Sequence, residues 1–155
     1  MENFPVLEAL NLSFNQVATL TRFDRMQTNQ TSLSVLDFSY NSLVTMSTHV
    51  LDHFPVLKTL NLSSNQMTSL TPSGEIEANH TSLRFLDLSN NSFTSIPVAE
   101  LVKFHALEIV DLSYNKLSIL ESTGPANDST QIRKLNIRLN LINDIMLLIQ
   151  SAEIS

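Results

Sequence analysis

The sequence predicts an α/β solenoid, a stack of similar coils with a parallel β-sheet along its concave side and irregular or short helical segments along its convex side. Two observations carry this reading. The pattern L-x-x-L-x-L-x-x-N-x-L-x-x-L occurs six times in the 155 residues, starting at Leu7, Leu33, Leu57, Leu83, Leu107 and Ile132. Within each copy the x-L-x-L-x stretch alternates apolar and polar residues at period two, as a strand buried on one face does. A period of 24 to 26 residues gives one supersecondary unit per repeat. Such a unit cannot bury its apolar face alone, so neighbours must stack.

The first copy reads Leu7, Leu10, Leu12, Asn15, Val17, Leu20, and the fourth reads Leu83, Leu86, Leu88, Asn91, Phe93, Ile96. The sixth is the most diverged but still reads Ile132, Leu135, Ile137, Asn140, Ile142, Ile145. In the third, Leu60 and Leu62 are expected to point inward and Thr59, Asn61 and Ser63 outward. After each strand the chain must turn, and the turn slot is always asparagine: Asn15, Asn41, Asn65, Asn91, Asn115 and Asn140. A carboxamide both donates and accepts, so it can satisfy backbone groups that the turn leaves unpaired inside the coil.

A return segment then closes each coil on the convex side. The stretch 47–54 is expected to hold a helical or 3₁₀ turn, with Leu51 and Phe54 facing in. The spacings between starts, 26, 24, 26, 24 and 25, alternate. Phe4-Pro5-Val6-Leu7 recurs as Phe54-Pro55-Val56-Leu57, and Thr31-Ser32-Leu33 recurs as Thr81-Ser82-Leu83, which points to duplication in pairs of coils. The six repeats fill residues 4–145, and residues 146–155 form a tail or a makeshift cap.

Composition narrows the functional classes. The net charge of −6 opposes a nucleic-acid partner, which calls for a basic stripe. The longest apolar runs are about five residues, as at 145–149, against the ~20 of a spanning helix, so no membrane-spanning segment is expected. The chain has no cysteine, which excludes disulfides, thiolate metal sites and a cysteine nucleophile. Taken alone, that favours a reducing compartment. Met1-Glu2-Asn3-Phe4-Pro5 holds no basic segment followed by an apolar stretch.

No catalytic residue, metal site or cofactor is expected. Neither G-x-S-x-G nor H-E-x-x-H occurs, and the only glycines, Gly74 and Gly124, lie in separate loops. His49, His53, His80 and His105 all fall in return segments, at the edges of coils.

The binding candidates are outward residues that break the consensus: Phe14, Tyr40, Phe85, Ile109, Tyr114 and Leu139. Aromatic side chains on a polar rim are anchors of the kind protein interfaces use, so a protein partner is expected here. Outward Asn11, Asp37, Asn61, Asp87, Asp111 and Asn136 form one ladder, and Ser13, Ser39, Ser63, Ser89 and Ser113 another. Both are read as consensus rather than as a calcium surface. The basic trio Arg133, Lys134 and Arg138 occurs only in the last repeat. Of six N-x-[ST] sequons, Asn11 and Asn61 arise from the strand consensus. Asn90 is a further match, while Asn29, Asn79 and Asn127 lie in polar return loops and are the expected glycosylation sites. Six strands ~4.8 Å apart, read over five residues, offer roughly 400 Å², about half of the ~800 Å² per partner of a standard interface.

These motifs resemble the extracellular "typical" class of leucine-rich repeat protein, to which Toll-type receptor ectodomains and chaoptin-like adhesion proteins belong. The resemblance runs from Phe4 to about Ile145. It implies a phenylalanine spine, with Phe4, Phe54 and Phe104 as members in alternate coils. It also implies protein binding through a concave or lateral face and a place in a receptor or adhesion glycoprotein. Complete members carry cysteine-rich caps, which this chain lacks. It is therefore read as a piece of a larger ectodomain, ahead of an intact small protein whose segment Ile145–Ile154 folds back as a cap. The rival reading is a cytoplasmic scaffold or regulator of the same fold.

Overall fold

The computed structural model describes residues 6–21, 31–71, 82–97, 101, 104–121 and 132–143. Its strands are three residues each: β1 Ala9–Asn11, β2 Val35–Asp37, β3 Thr45–Ser47, β4 Thr59–Asn61, β5 Ser69–Thr71, β6 Phe85–Asp87, β7 Ser95–Pro97, β8 Ile109–Asp111, β9 Ile119–Glu121 and β10 Lys134–Asn136. The first strand of each coil joins a six-stranded sheet in the order β1-β2-β4-β6-β8-β10. Every pairing in it is parallel, with Leu10, Leu36, Leu60, Leu86, Val110 and Leu135 in one register row. The chain is a parallel-strand solenoid.

One apolar core runs through the stack. Leu36, Leu60, Leu86 and Val110 are buried, as are Phe38, Leu62, Leu88 and Leu112 two residues further along. Burying such a side chain contributes about 1.5–3 kcal/mol, so shared burial is what holds consecutive coils together. The two ends of the described stack differ from its middle. Leu7, Leu10, Leu12 and Val17 in the first coil, and Ile132, Ile137 and Ile142 in the last, are only partly buried. A coil is covered on both sides only where it has two neighbours.

The returning chain adds structure that the period-two reading of the first strand does not anticipate. β3 pairs with β5 and β7 with β9, both in parallel, to give two further two-stranded sheets. Thr45-Met46-Ser47 and Ser69-Leu70-Thr71 alternate as strands do, with Met46 and Leu70 buried. Three residues are too short a window for that alternation to stand out. The segment Thr48–His53 is a 3₁₀ helix, N-capped by Ser47, whose Oγ accepts the amide of His49 at 3.3 Å. Leu51 and Phe54 are buried against the core. The amides of Phe54 and Phe104 donate to Leu51 and Leu101, and each phenylalanine carbonyl then accepts the amide three residues on, from Leu57 and Leu107. The same turn therefore recurs fifty residues apart, with both rings buried. Phe4 lies outside the described residues.

Candidate binding face

The parallel ladder does not stop at the strand ends. Leu12, Phe38, Leu62, Leu88 and Leu112 each donate an amide to the neighbouring coil at 2.7–2.8 Å. Two residues later Phe14, Tyr40, Ser64, Asn90 and Tyr114 do the same, to the carbonyls of Ser39, Ser63, Ser89, Ser113 and Arg138. Neighbouring coils are thus in register through the strand and into the turn, and the outer face is a set of straight rows.

The row Asn11, Asp37, Asn61, Asp87, Asp111 and Asn136 has one local task. In each coil its Oδ1 accepts the amide two residues on, from Ser13, Ser39, Ser63, Ser89, Ser113 and Arg138 respectively. Only an acceptor is needed, so Asn and Asp alternate freely. Asp111 carries more. Ser113 Oγ donates to its Oδ1 at 2.6 Å and Asn136 Nδ2 to its Oδ2 at 2.9 Å. Burial works against its charged form. The hydrogen bonds from Ser113 and Asn136, with the positive charge of Arg138, outweigh that and lower its pKa below the ordinary carboxylate value. No cluster of three or more carboxylate or histidine side chains able to hold a metal ion occurs among the described residues.

The serine row is less open than an outward ladder implies. Ser39 and Ser113 are buried, and Ser13, Ser63 and Ser89 are partly covered. A serine is too short to reach past the Asx side chain that caps its amide.

Five of the six asparagines of the turn slot sew their coil to the one before. Asn41, Asn65, Asn91, Asn115 and Asn140 each donate Nδ2 to the earlier coil, to the carbonyls of Leu12, Phe38, Leu62, Leu88 and Leu112 at 2.9–3.0 Å. Their Oδ1 atoms accept the amides of Val17, Leu43, Met67, Phe93 and Leu117, also of the earlier coil. Asn15, in the first coil, bonds only the carbonyls of Leu12 and Ser13.

The residue just before each asparagine is left-handed: Phe14 (φ 56°), Tyr40 (52°), Ser64 (55°), Asn90 (51°), Tyr114 (56°) and Leu139 (56°). For a residue with a side chain this costs about 1–2 kcal/mol, least for asparagine and nothing for glycine. The inter-coil ladder through the turn holds five of these residues, all but Leu139, and an asparagine closes the turn after each of the six.

The six candidate contact residues therefore fall into two rows. Phe14, Tyr40, Tyr114 and Leu139 occupy left-handed turn positions and are 75%, 52%, 50% and 59% exposed. The rings of Phe14 and Tyr40 stack across adjacent coils, 4.2 Å between centroids and 7° from parallel. The Arg138 guanidinium lies over the Tyr114 ring at 5.5 Å and donates Nη2 to its hydroxyl at 3.2 Å. Between these groups, Asn90 Nδ2 donates to Ser64 Oγ. Phe85 and Ile109 are instead register partners on β6 and β8, in the first outward row, and are half-buried. That row also holds Val35, which is exposed and was not singled out from the sequence. A valine in a strand reads as ordinary β-propensity, so nothing in its type marks it.

Among the histidines, His49 pairs with Asp52 through Nδ1. His53 packs edge-on to His49, and both its ring nitrogens are buried with no hydrogen-bond partner. His105 is exposed, and His80 lies outside the described residues, as do Asn29, Asn79 and Asn127.

Comparison with known proteins agrees with this architecture. The family model described as leucine rich repeat matches residues 5–67, and that described as leucine rich repeats (2 copies) matches residues 81–122. The chain belongs to the leucine-rich repeat proteins. Among solved structures it is similar to the functional domain of InlJ from Listeria monocytogenes, a domain described as including a cysteine ladder. The TM-score is 0.55 at 22% identity, over 91% of this chain and 32% of that one. It is also similar to an internalin (inlF) from Listeria monocytogenes, with a TM-score of 0.51 at 19% identity, over 99% of this chain and 48% of that one. The chain thus spans less than half the length of these two structures. No curated protein matches the sequence.

Proposed function

We propose that this chain is a non-catalytic protein-recognition module, part of a receptor or adhesion ectodomain. It contacts its partner through the outer sheet face and the adjoining row of left-handed turns. The observation that carries this reading is the Phe14–Tyr40 pair. Two aromatic rings stand exposed in backbone positions that asparagine or glycine would fill at lower cost. They add nothing to the core. Backbone cost retained at exposed, bulky residues is the usual accompaniment of a contact surface. Phe85, Ile109, Tyr114 and Leu139 extend that surface over the sheet and along its edge.

A photo-crosslinking residue placed at Phe85, with one at Val56 as control, tests the face used. Adducts with a protein partner from position 85, competed by unlabelled chain and missing from position 56, are expected. Equal adducts from both positions would contradict the reading. The extracellular part of the proposal rests on the sequons at Asn29, Asn79 and Asn127. Expression in a secretory host followed by glycosidase treatment should shift the mobility of the chain. An unshifted band would favour the cytoplasmic scaffold, which a chain without cysteine also suits.

A further inference from the structure

Two outward positions become cationic together in the last coil, and a third cation stands beside them. The first outward row runs Ala9, Val35, Thr59, Phe85, Ile109 and then Lys134, each in register with the next. The position four residues further along is serine in five coils, Ser13, Ser39, Ser63, Ser89 and Ser113, and Arg138 in the sixth. The lateral row, joined by amide-to-carbonyl bonds from coil to coil, runs Glu8, Ser34, Lys58, Arg84, Glu108 and Arg133. Arg133, Lys134 and Arg138 are all exposed. Residues 132–143 hold these three cations and no carboxylate, in a chain of net charge −6.

The cations are also differently placed from their neighbour Arg84, which pairs with Glu108 at 2.6 Å. Among the described residues none of the three is in an ion pair. Arg138 is instead held by an uncharged ring, its guanidinium over Tyr114 and one amine bonded to the hydroxyl. That leaves the remaining donors of its fork for a carboxylate, which a guanidinium binds in bidentate fashion. Beside it stand the exposed apolar surfaces of Tyr114 and Leu139. Lys134, Asn136 and Arg138 follow one another at alternate positions of the same chain segment, about 6.8 Å apart, the spacing of side chains on one face of an extended chain.

We propose that this end of the sheet face docks an acidic protein segment. The carboxylates of that segment meet Arg133, Lys134 and Arg138, and its apolar side chains rest on Tyr114 and Leu139. The proposal rests on the protein-recognition reading above and assigns the partner's charge at one end of that surface. Charge complementarity selects the occupant. Three cations in one coil fall short of the stripe that a nucleic acid needs.

The test uses fluorescence anisotropy of the whole chain with three labelled probes: a peptide of about twelve residues alternating glutamate and alanine, its lysine counterpart, and a thymidine oligonucleotide of equal length, each at low and raised salt. The glutamate peptide is expected to bind saturably and less tightly as salt rises. The triple variant R133Q/K134Q/R138Q is expected to weaken it by about tenfold or more, as loss of close charge pairs does. The variant R133Q/K134Q/R138K should keep part of that affinity. The substituted side chains are exposed, and the single variants Arg133→Gln and Lys134→Gln, whose side chains make no bond across coils among the described residues, guard against a misfolded triple variant. Unchanged affinity in the triple variant, or tighter binding of the lysine peptide or the oligonucleotide, would overturn the proposal. If the triple variant still cross-links its protein partner from position 85, the acidic-segment proposal fails alone. If wild type gives no adduct there either, the recognition reading fails with it.

Discussion

The side chain of Asn91 accepts the amide proton of Met67, one coil earlier, at 2.9 Å, both groups being buried. The same carboxamide donates to the carbonyls of Leu62, Leu88 and Ser89. One side chain thus closes its own turn and fastens it to the preceding coil. Asn91→Ala would leave the Met67 amide and the Leu62 carbonyl without this partner in the interior. Each such buried group costs about 1–3 kcal/mol, so a loss of about 2–4 kcal/mol is expected by urea denaturation. Asn91→Asp should fare no better, because a carboxylate cannot donate to the carbonyls. Asn15→Ala is the contrast. Its bonds are exposed and reach no earlier coil, so its cost should stay below about 1 kcal/mol. Equal costs at both sites would argue against the stitching role.

Leu139→Asn separates stability from binding. Leu139 is exposed and left-handed, and asparagine adopts that backbone more easily. A gain of about 1 kcal/mol is expected from thermal or urea unfolding, together with weaker partner binding. Trading stability for recognition in this way is common at contact surfaces. Tyr40→Asn should gain less, since it also removes the stack on Phe14, worth about 0.5–1.5 kcal/mol. A destabilised Leu139→Asn would contradict the argument from backbone cost.

Core truncations should follow position in the stack. Leu86 and Leu135 occupy the same register row, yet Leu86 is 2% exposed and Leu135 37%. Leu86→Ala is expected to cost about 2–5 kcal/mol, and Leu135→Ala clearly less. Denaturant midpoints measured side by side check the ranking.

The fold was legible because its determinants are local and repeated: inward leucines, one asparagine per turn, and a fixed period. The short sheets β3–β5 and β7–β9 were not, since three residues such as Thr45-Met46-Ser47 carry too little alternation to separate strand from loop. The candidate surface was legible only in part. Residue type singled out Phe14, Tyr40, Tyr114 and Leu139, but not that they share a left-handed conformation. Six different positions with three kinds of side chain (aromatic, aliphatic and small polar) give no backbone signature, because the conformation belongs to the turn and not to the side chain that occupies it. Phe85 and Ile109 were grouped with them by chemistry alone, whereas register sets them in another row. The covered serines mark the same limit, since strand alternation gives direction and not depth.

Asp111 sets a pH dependence. Its folded pKa lies below the ordinary aspartate value, so the folded state favours the carboxylate more than the unfolded chain does. Its contribution is present above the unfolded-state value and is lost as pH falls through the lower, folded value. Asp111→Asn should therefore flatten the acid limb of stability against pH and leave the neutral region little changed. An unaltered acid limb in chemical denaturation at a series of pH values would remove Asp111 from this role.

The central claim is that all six coils stack in one parallel register. Because the chain has no cysteine, paired spin labels can be placed on the lateral row without background. Glu8 and Arg84 are three coils apart in that row, Lys58 and Arg133 also three, and Glu8 and Arg133 five. At ~4.8 Å per coil, pulsed electron resonance should find about 14 Å for the first two pairs and about 24 Å for the third. A Glu8–Arg133 distance no longer than the other two, as hairpins or separate cores would give, would contradict it.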